Sequence, residues 1–167
     1  MSIGDIIFYI ILLGVIAAII AAVVHYGGDI HTASNVQADV NDTSALVAAV
    51  EKTYNGYSNY ANLSDGDMIS AQTVPTAITQ ASATSLQNVF GYPYTLAEDT
   101  NNPNAFDLTD EVPNDACAAI ANSVMKNITS LTINGTAVTL PVSNPATIGQ
   151  ACGTTDPSTI VEVYSGM

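Results

Sequence analysis

An unbroken apolar run near the N-terminus constrains this chain more than any other feature. Residues Ile6 to Val24 read IIFYIILLGVIAAIIAAVV, and the hydroxyl of Tyr9 is their only strong hydrogen-bonding side-chain group. At ~1.5 Å of rise per residue, this run with its flanks is long enough for a hydrocarbon core of ~30 Å. A carboxylate, Asp5, stands directly before it. Such a helix can be accommodated only in lipid or inside a protein assembly.

The run does not fit a cleaved signal peptide. A cleaved signal has a basic n-region, an apolar core of ~7–15 residues and an A-x-A-like site. Here no Lys or Arg precedes Lys52, and Asp5 stands where a positive charge would be. We therefore expect the run to be retained. Because the positive-inside rule then leaves the topology unexplained, we also expect that a basic leader has been removed and that Met1 is a processed N-terminus.

The helix is expected to continue beyond the run, to about Tyr54. Apolar residues recur there at helical spacing with polar residues between them; they are Val36, Val40, Val47, Val50 and Tyr54. Gly14 and the pair Gly27 and Gly28 are where it could bend. The predicted organisation is a long helix over 1–54, with 1–26 as a membrane or filament-core segment, and a globular head over 27–167 that includes the packed half of the helix.

The charge balance excludes one class of partner. The chain has 167 residues, with 2 Lys and Arg against 15 Asp and Glu, so its formal net charge is −13. Phosphate backbones and anionic headgroups are repelled by such a protein, and we expect no nucleic-acid binding. Only 10% of residues are charged, which is typical of exported proteins with an uncharged polar surface. An acidic halophilic surface is the alternative.

Two cysteines, Cys117 and Cys152, lie 35 positions apart. Outside the cytoplasm a disulfide is the default for such a pair. Two free buried thiols remain an alternative. Metal ligation is disfavoured because neither His25 nor His31 lies near a cysteine in sequence. We expect no metal, no cofactor and no catalytic site, since no serine, histidine and aspartate arrangement stands out.

The rest of the chain predicts a mixed head. Ser64 is expected to cap a short helix through Ala71; a calcium loop at Asp65 to Asp67 is disfavoured because later EF-hand ligands are missing. Further expected elements, in order, are a loop with short helical pieces over 76–88, a hairpin of 92–96 with 105–109, a helix from Pro113 through Met125, a hairpin around Asn134 and Gly135, a loop bracketed by Pro141 and Pro145, and a closing strand over 160–164. Four or five short strands then pack on the long helix.

Several of these features resemble the type IV pilins. The resemblance rests on an N-terminal Met after a lost leader, an acid at position 5 and Gly14 inside an apolar run. The stretches LVAAVEKTYNGYSNY (46–60), Val74 with Pro75, and DACAAIANSV (115–124) before Cys152 are similar to the type IVb subgroup, PilS-type pilins above all, with toxin-coregulated-type pilins further off. Two features depart from the pattern. The usual acid is Glu, where this chain has Asp5, and the Gly-Phe or Gly-Met cleavage junction is absent.

The resemblance implies an α+β pilin fold, with an antiparallel sheet packed on the C-terminal half of a long helix and one disulfide. It implies a major subunit that polymerises into an extracellular pilus for surface attachment, aggregation or conjugative mating-pair contact. Implied partners are other copies of the chain, the inner membrane before assembly, a prepilin peptidase and the pilus assembly machinery. The resemblance also implies methylation of the new N-terminus. The alternative is a minor pilin or a single-pass membrane-anchored adhesin.

Within that framework, Asp5 is expected to contact Met1 of its own or an adjacent subunit. An unpaired carboxylate at the edge of a low-dielectric helix bundle costs several kcal/mol, and an N-terminal amine offsets that cost. Gly14 and neighbouring alanines are expected to permit close helix approach. The alternative for Asp5 is a membrane-boundary acid that faces water.

Overall fold

The structure is a computed structural model that describes residues 32–165. Residues from Asn35 onward form one compact unit. Its elements are helix α1 (32–54), α2 (Asp65–Ser70), β1 (Thr79–Ser82), β2 (Ser85–Gln87), β3 (Pro93–Glu98), β4 (Ala105–Val112), α3 (Asn114–Val124), β5 (Ser130–Ile133), β6 (Thr136–Val138), α4 (Ala146–Cys152) and β7 (Ser158–Ser165). None of the helices in this part of the chain is both long and apolar enough to cross a membrane.

Helix α1 confirms the predicted extension to Tyr54. Leu46 and Val50 are completely buried against the sheet side of the head. The helix ends in a turn in which the Tyr57 amide donates to the Tyr54 carbonyl at 2.9 Å. Gly56 adopts φ +97° in this turn, a conformation that L side chains rarely tolerate. The sequence therefore stops the helix where its turn-forming residues begin.

All strands join one antiparallel sheet in the order β1-β2-β3-β4-β7-β5-β6. The expectation of four or five strands was too low, because β1 and β2 lie where a loop was predicted. All four residues of β1 are exposed, so the strand lacks the alternation that marks a half-buried strand. The strand predicted over 160–164 is confirmed as β7, which lies inside the sheet, between β4 and β5.

The hairpin predicted at Asn134 and Gly135 is confirmed. Asn134 has φ +50° and Gly135 has φ +76°, the paired positive values of a type I′ turn. The Asn134 side chain also holds neighbouring segments, since its Oδ1 accepts from the Thr159 amide at 2.9 Å and its Nδ2 donates to the Cys152 carbonyl at 2.9 Å. One residue therefore forms the turn and clamps the disulfide segment.

Helix α4 was not predicted. It has seven residues, includes Gly149 and has Pro145, which offers no side-chain hydrogen bond, at its N-cap, so the usual sequence signals of a helix are weak. Burial of Ile148 and Cys152 holds it in place. The predicted helices α2 and α3 are confirmed, and the Ser64 hydroxyl caps α2 by accepting from the Asp67 amide at 3.2 Å.

The core consists of two apolar clusters. The first includes residues from α1, α2, β3 and the outer half of β4, such as Leu46, Met68, Leu96, Phe106 and Leu108. The second lies under α3 and α4 and includes Val112, Cys117, Ile120, Ile148 and Ile160. Along β4, Asp110 lies between Leu108 and Val112 and therefore between the two clusters.

Candidate functional site

Three carboxyl groups are buried together where the two apolar clusters meet. Asp39 comes from α1, Asp110 from β4 and Glu162 from β7, and each is completely inaccessible to solvent. We call them, with their hydrogen-bonding neighbours Tyr94, Tyr164 and Asn88, the carboxyl cluster. Burial of ionised carboxylates is costly unless they are paired or neutralised, so the protonation of this cluster matters to the fold.

Helix α1 is bonded to the sheet through this cluster. The Tyr94 hydroxyl donates to Oδ1 of Asp39 at 2.8 Å and lies 3.3 Å from the Thr43 hydroxyl. Tyr94 is paired across the β3–β4 ladder with Asp110, whose Oδ1 accepts from Nδ2 of Asn88 at 2.8 Å. The contacts thus run from the helix through two strands and into the loop after β2.

Glu162, on β7, lies on the same buried face of the sheet as Asp110. Its Oε2 accepts a hydrogen bond from the Tyr164 hydroxyl. Its Oε1, like Oδ2 of Asp39 and of Asp110, has no donor among the described residues. Orphan carboxylate oxygens in a dry interior favour the protonated form, since a neutral carboxyl carries its own donor.

The pKa values agree with this geometry. Burial raises the pKa of Glu162 to about 8, against a smaller lowering by the Tyr164 hydroxyl. Burial also raises the pKa of Asp110 well above its usual range, and the neighbouring Asp39 raises it further. Burial raises the pKa of Asp39, and the neighbouring Asp110 and Tyr94 side chains partly offset that rise. The pKa shifts therefore favour the neutral, protonated form of Asp110 and Glu162 in the folded head.

The disulfide lies in the second apolar cluster. Cys117 of α3 and Cys152 of α4 are bonded, with their Cα atoms 6.0 Å apart. Nδ2 of Asn114 donates to the carbonyls of Gly153 at 3.1 Å and Thr155 at 3.2 Å. The cross-link and this amide together fix the segment that leads from α4 into β7.

A family model described as PilS N terminal matches residues 33–165, most of the chain. The chain belongs to this PilS family. The match covers α1, the sheet, the carboxyl cluster and the disulfide. The type IVb and PilS resemblance is therefore confirmed. A comparison with curated protein sequences finds no significant match.

Two solved structures share the fold of this PilS-family chain. A type IV b pilin from Salmonella typhi is 23% identical with a TM-score of 0.61, covering 77% of this chain and 98% of that one. TcpA, a type IV pilin from Vibrio cholerae El Tor biotype, is 14% identical with a TM-score of 0.56, covering 79% and 99%. At these identities the similarity establishes the type IV pilin fold, as predicted.

The predicted assembly residues of the PilS-family chain, Met1, Asp5 and Gly14, lie outside the described residues. Both predicted disulfide cysteines are bonded to each other. Asp65, one residue of the disfavoured calcium loop, instead accepts the Leu96 amide at 2.8 Å. Among residues 32–165 no group of three or more acids, histidines or cysteines is arranged to hold a metal ion.

The carboxyl cluster was missed by sequence reasoning, although the sequence contained a signal for it. Asp39 is one of the polar residues between the apolar positions of the helix, but it shares a helical spacing with Thr43, Leu46 and Val50, all buried. In β4 and β7, alternate residues are buried. This two-residue period puts the Asp110 and Glu162 side chains on the buried face of the sheet. An acid on the apolar side of an element was the available signal.

Proposed function

We propose that this chain is the major subunit of a type IVb pilus and polymerises through its apolar N-terminal helix. The match of the PilS family over 33–165 is the observation that carries this proposal. The run over 6–24 supports it, because copies packed side by side replace lipid with neighbouring helices. At about 25 cal/mol per Å² of buried apolar surface, that burial is ample to drive association.

The outer side of α1 supplies a second argument for packing against other copies. Ala45 and Ala48 are exposed on this helix, and small residues permit close helix approach. A groove of about 360 Å³ lies beside Ala48, between α1 and α3. Its lining includes Val40, Ser44, Val47, Ser123 and Asn127. The lining also includes Glu51, so a helix of another subunit that packs there would present small and polar side chains.

The proposal includes the route to the filament. The subunit is anchored in the inner membrane before assembly, is processed by a prepilin peptidase and methylated at its new N-terminus, and is polymerised by pilus assembly machinery. The extracellular polymer then serves surface attachment, aggregation or conjugative mating-pair contact. No catalytic step is proposed for this chain.

Electron microscopy of cells that overexpress the chain tests the proposal. A major pilin is expected to give abundant homopolymeric fibres, and a helical reconstruction is expected to place residues 6–24 in the fibre core. If the chain yields only detergent-soluble monomers, with no fibres under any condition, the major-pilin proposal fails. A minor pilin or a membrane-anchored adhesin would then be the better description.

A further inference from the structure

A shallow depression lies where α1 ends, away from the carboxyl cluster. Its volume is about 440 Å³, within the range of small-molecule sites. Six polar and aromatic residues line it: Thr53, Tyr54, Tyr57, Asn59, Asn62 and Asp67. We call these residues the tyrosine depression. Ala61 and Ala71 also line it, and their small side chains leave the space open.

We propose that the tyrosine depression binds a neutral saccharide. Tyr57 is 66% exposed, and among the described residues the only other exposed large apolar residue is Val89, at 40%. An exposed aromatic ring offers a flat apolar face to the C–H groups of a sugar ring. Aromatic side chains are favoured in binding sites for this combination of apolar body and polar edge.

The rings form a wall rather than a cage. The centroids of Tyr54 and Tyr57 are 5.6 Å apart with an interplanar angle of 51°, so the rings touch and leave no space between them. An aromatic cage for a quaternary ammonium must surround its cation with ring faces. A continuous tilted surface suits a sugar ring better.

The rim supplies hydrogen-bonding groups for sugar hydroxyls. Within the described residues, Nδ2 of Asn59 and the whole side-chain amide of Asn62 make no hydrogen bond, whereas Oδ1 of Asn59 accepts from the Ala61 amide at 3.2 Å. Asp67 accepts from the Ser64 hydroxyl through Oδ2, which leaves Oδ1 as an acceptor. Amide and carboxylate groups pair well with hydroxyls. The carboxylate and the net charge of −13 disfavour acidic sugars.

The depression is supported from beneath, so its geometry is preorganised. The Tyr54 ring packs on the buried Tyr60 ring at 5.3 Å, and Tyr60 packs on Phe106 at 4.9 Å. The Tyr60 amide donates to the Pro103 carbonyl at 3.0 Å, which ties the loop to the β3–β4 turn. Support of this kind reduces the entropy cost of binding.

The site would give the attachment role proposed above a chemical target, and the inference rests on that role only for its biological use. The binding test needs no filament. If fibres form but no sugar binds, the inference fails alone. If sugar binds but no fibres form, the proposed major-pilin function fails and the inference stands.

Calorimetric titration of the full chain in an amine-oxide detergent tests the site; glucoside and maltoside detergents would compete for it. The probes are methyl glycosides of glucose, galactose, mannose and N-acetylglucosamine, with sialic acid, choline and an oligoproline peptide as comparisons. We expect at least one neutral glycoside to bind at millimolar concentration and sialic acid not to bind. Tyr57→Ala should weaken binding by about tenfold or more, and Tyr57→Phe should retain most of it.

Val89→Ala is the matched control, since it removes the other exposed apolar side chain and should leave binding unchanged. The proposal is overturned if none of the neutral glycosides binds, or if Tyr57→Ala and Val89→Ala behave alike. Binding of choline or of the oligoproline peptide in place of a neutral glycoside would also overturn it.

Discussion

The Tyr94 hydroxyl lies 2.8 Å from Oδ1 of Asp39 and donates a hydrogen bond to it in an interior from which solvent is excluded. The two residues are 55 positions apart and belong to β3 and α1. Oδ2 of Asp39 has no donor among the described residues. The phenol is therefore the principal direct hydrogen bond from the sheet to this carboxyl, and it fixes where α1 lies on the head.

Removal of that hydroxyl should destabilise the head. Tyr94→Phe leaves a buried carboxyl with one donor fewer, and an unsatisfied buried polar group costs about 1–3 kcal/mol. We expect a lower free energy of unfolding and a fall in Tm of about 3–10 °C. The measurement is thermal unfolding of the full chain in detergent, followed by near-ultraviolet circular dichroism of its eight tyrosines.

Tyr57→Phe is the control for this prediction, because it removes the same hydroxyl from a ring that is 66% exposed. It should leave Tm unchanged within about 1 °C. Equal Tm values for Tyr94→Phe and the wild type would show that the bond between β3 and α1 does not stabilise the head.

The stability of the head should decrease as pH rises from about 4.5 to 8. Over this range the unfolded chain releases the Glu162 proton at its ordinary pKa of 4.5, whereas the folded chain keeps it until about 8. The folded state then binds more protons than the unfolded state, and the free energy of unfolding falls with pH. Below the unfolded pKa, both states are protonated and the dependence on Glu162 disappears.

Glu162→Gln isolates this contribution. Glutamine is neutral at every pH and retains an acceptor for the Tyr164 hydroxyl. The variant should be more stable than the wild type at pH 8, by on the order of 3–5 kcal/mol, and nearly equal to it at pH 4.5. Urea unfolding at both pH values measures the difference. Glu51→Gln is the control for loss of one carboxylate, at an exposed position of α1. Parallel curves for wild type and Glu162→Gln would contradict the prediction.

The predictable parts of the fold are those with local signals. The Asn134 and Gly135 turn was predicted because positive φ at two successive residues demands such types. The β3–β4 hairpin was predicted from the alternation of its residues and from the turn residues between its strands. Helix α3 was predicted from helical spacing and capping residues. By contrast, β1 has four exposed residues and pairs with β2, which has only three residues, so this short hairpin has too little alternation to be predicted. The position of β7 inside the sheet is set by distant partners.

The candidate sites divide in the same way. The disulfide was an expected option because two cysteines outside the cytoplasm offer few pairings. The carboxyl cluster was not predicted, because it joins residues from three separate elements, α1, β4 and β7. The sequence could have shown that Asp110 and Glu162 point inward, but not that they meet Asp39. That meeting depends on how the helix lies on the sheet.

Loss of the disulfide should weaken the second apolar cluster. The bond closes a loop over a separation of 35 residues, and the loop-entropy model assigns it about 3–4 kcal/mol. The double variant Cys117→Ser with Cys152→Ser should unfold at lower urea concentration than the wild type. Reducing agent should shift the wild type similarly and leave the double variant unaffected. If it shifts both proteins equally, its effect does not arise from this bond.

Filament assembly should depend on the acid at position 5. Asp5→Ala removes the group proposed to pair with the Met1 amine of its own or an adjacent subunit. Filament yield should therefore fall, and the axial register between subunits should become irregular. Asp5→Glu, which restores the acid at one methylene longer, should retain filaments. Glu98→Gln removes the same charge from the head and should assemble normally. Yield and helical register are measured by electron microscopy of sheared filaments. Asp5→Ala fibres with wild-type yield and register would favour the alternative, an acid that faces water at the membrane boundary.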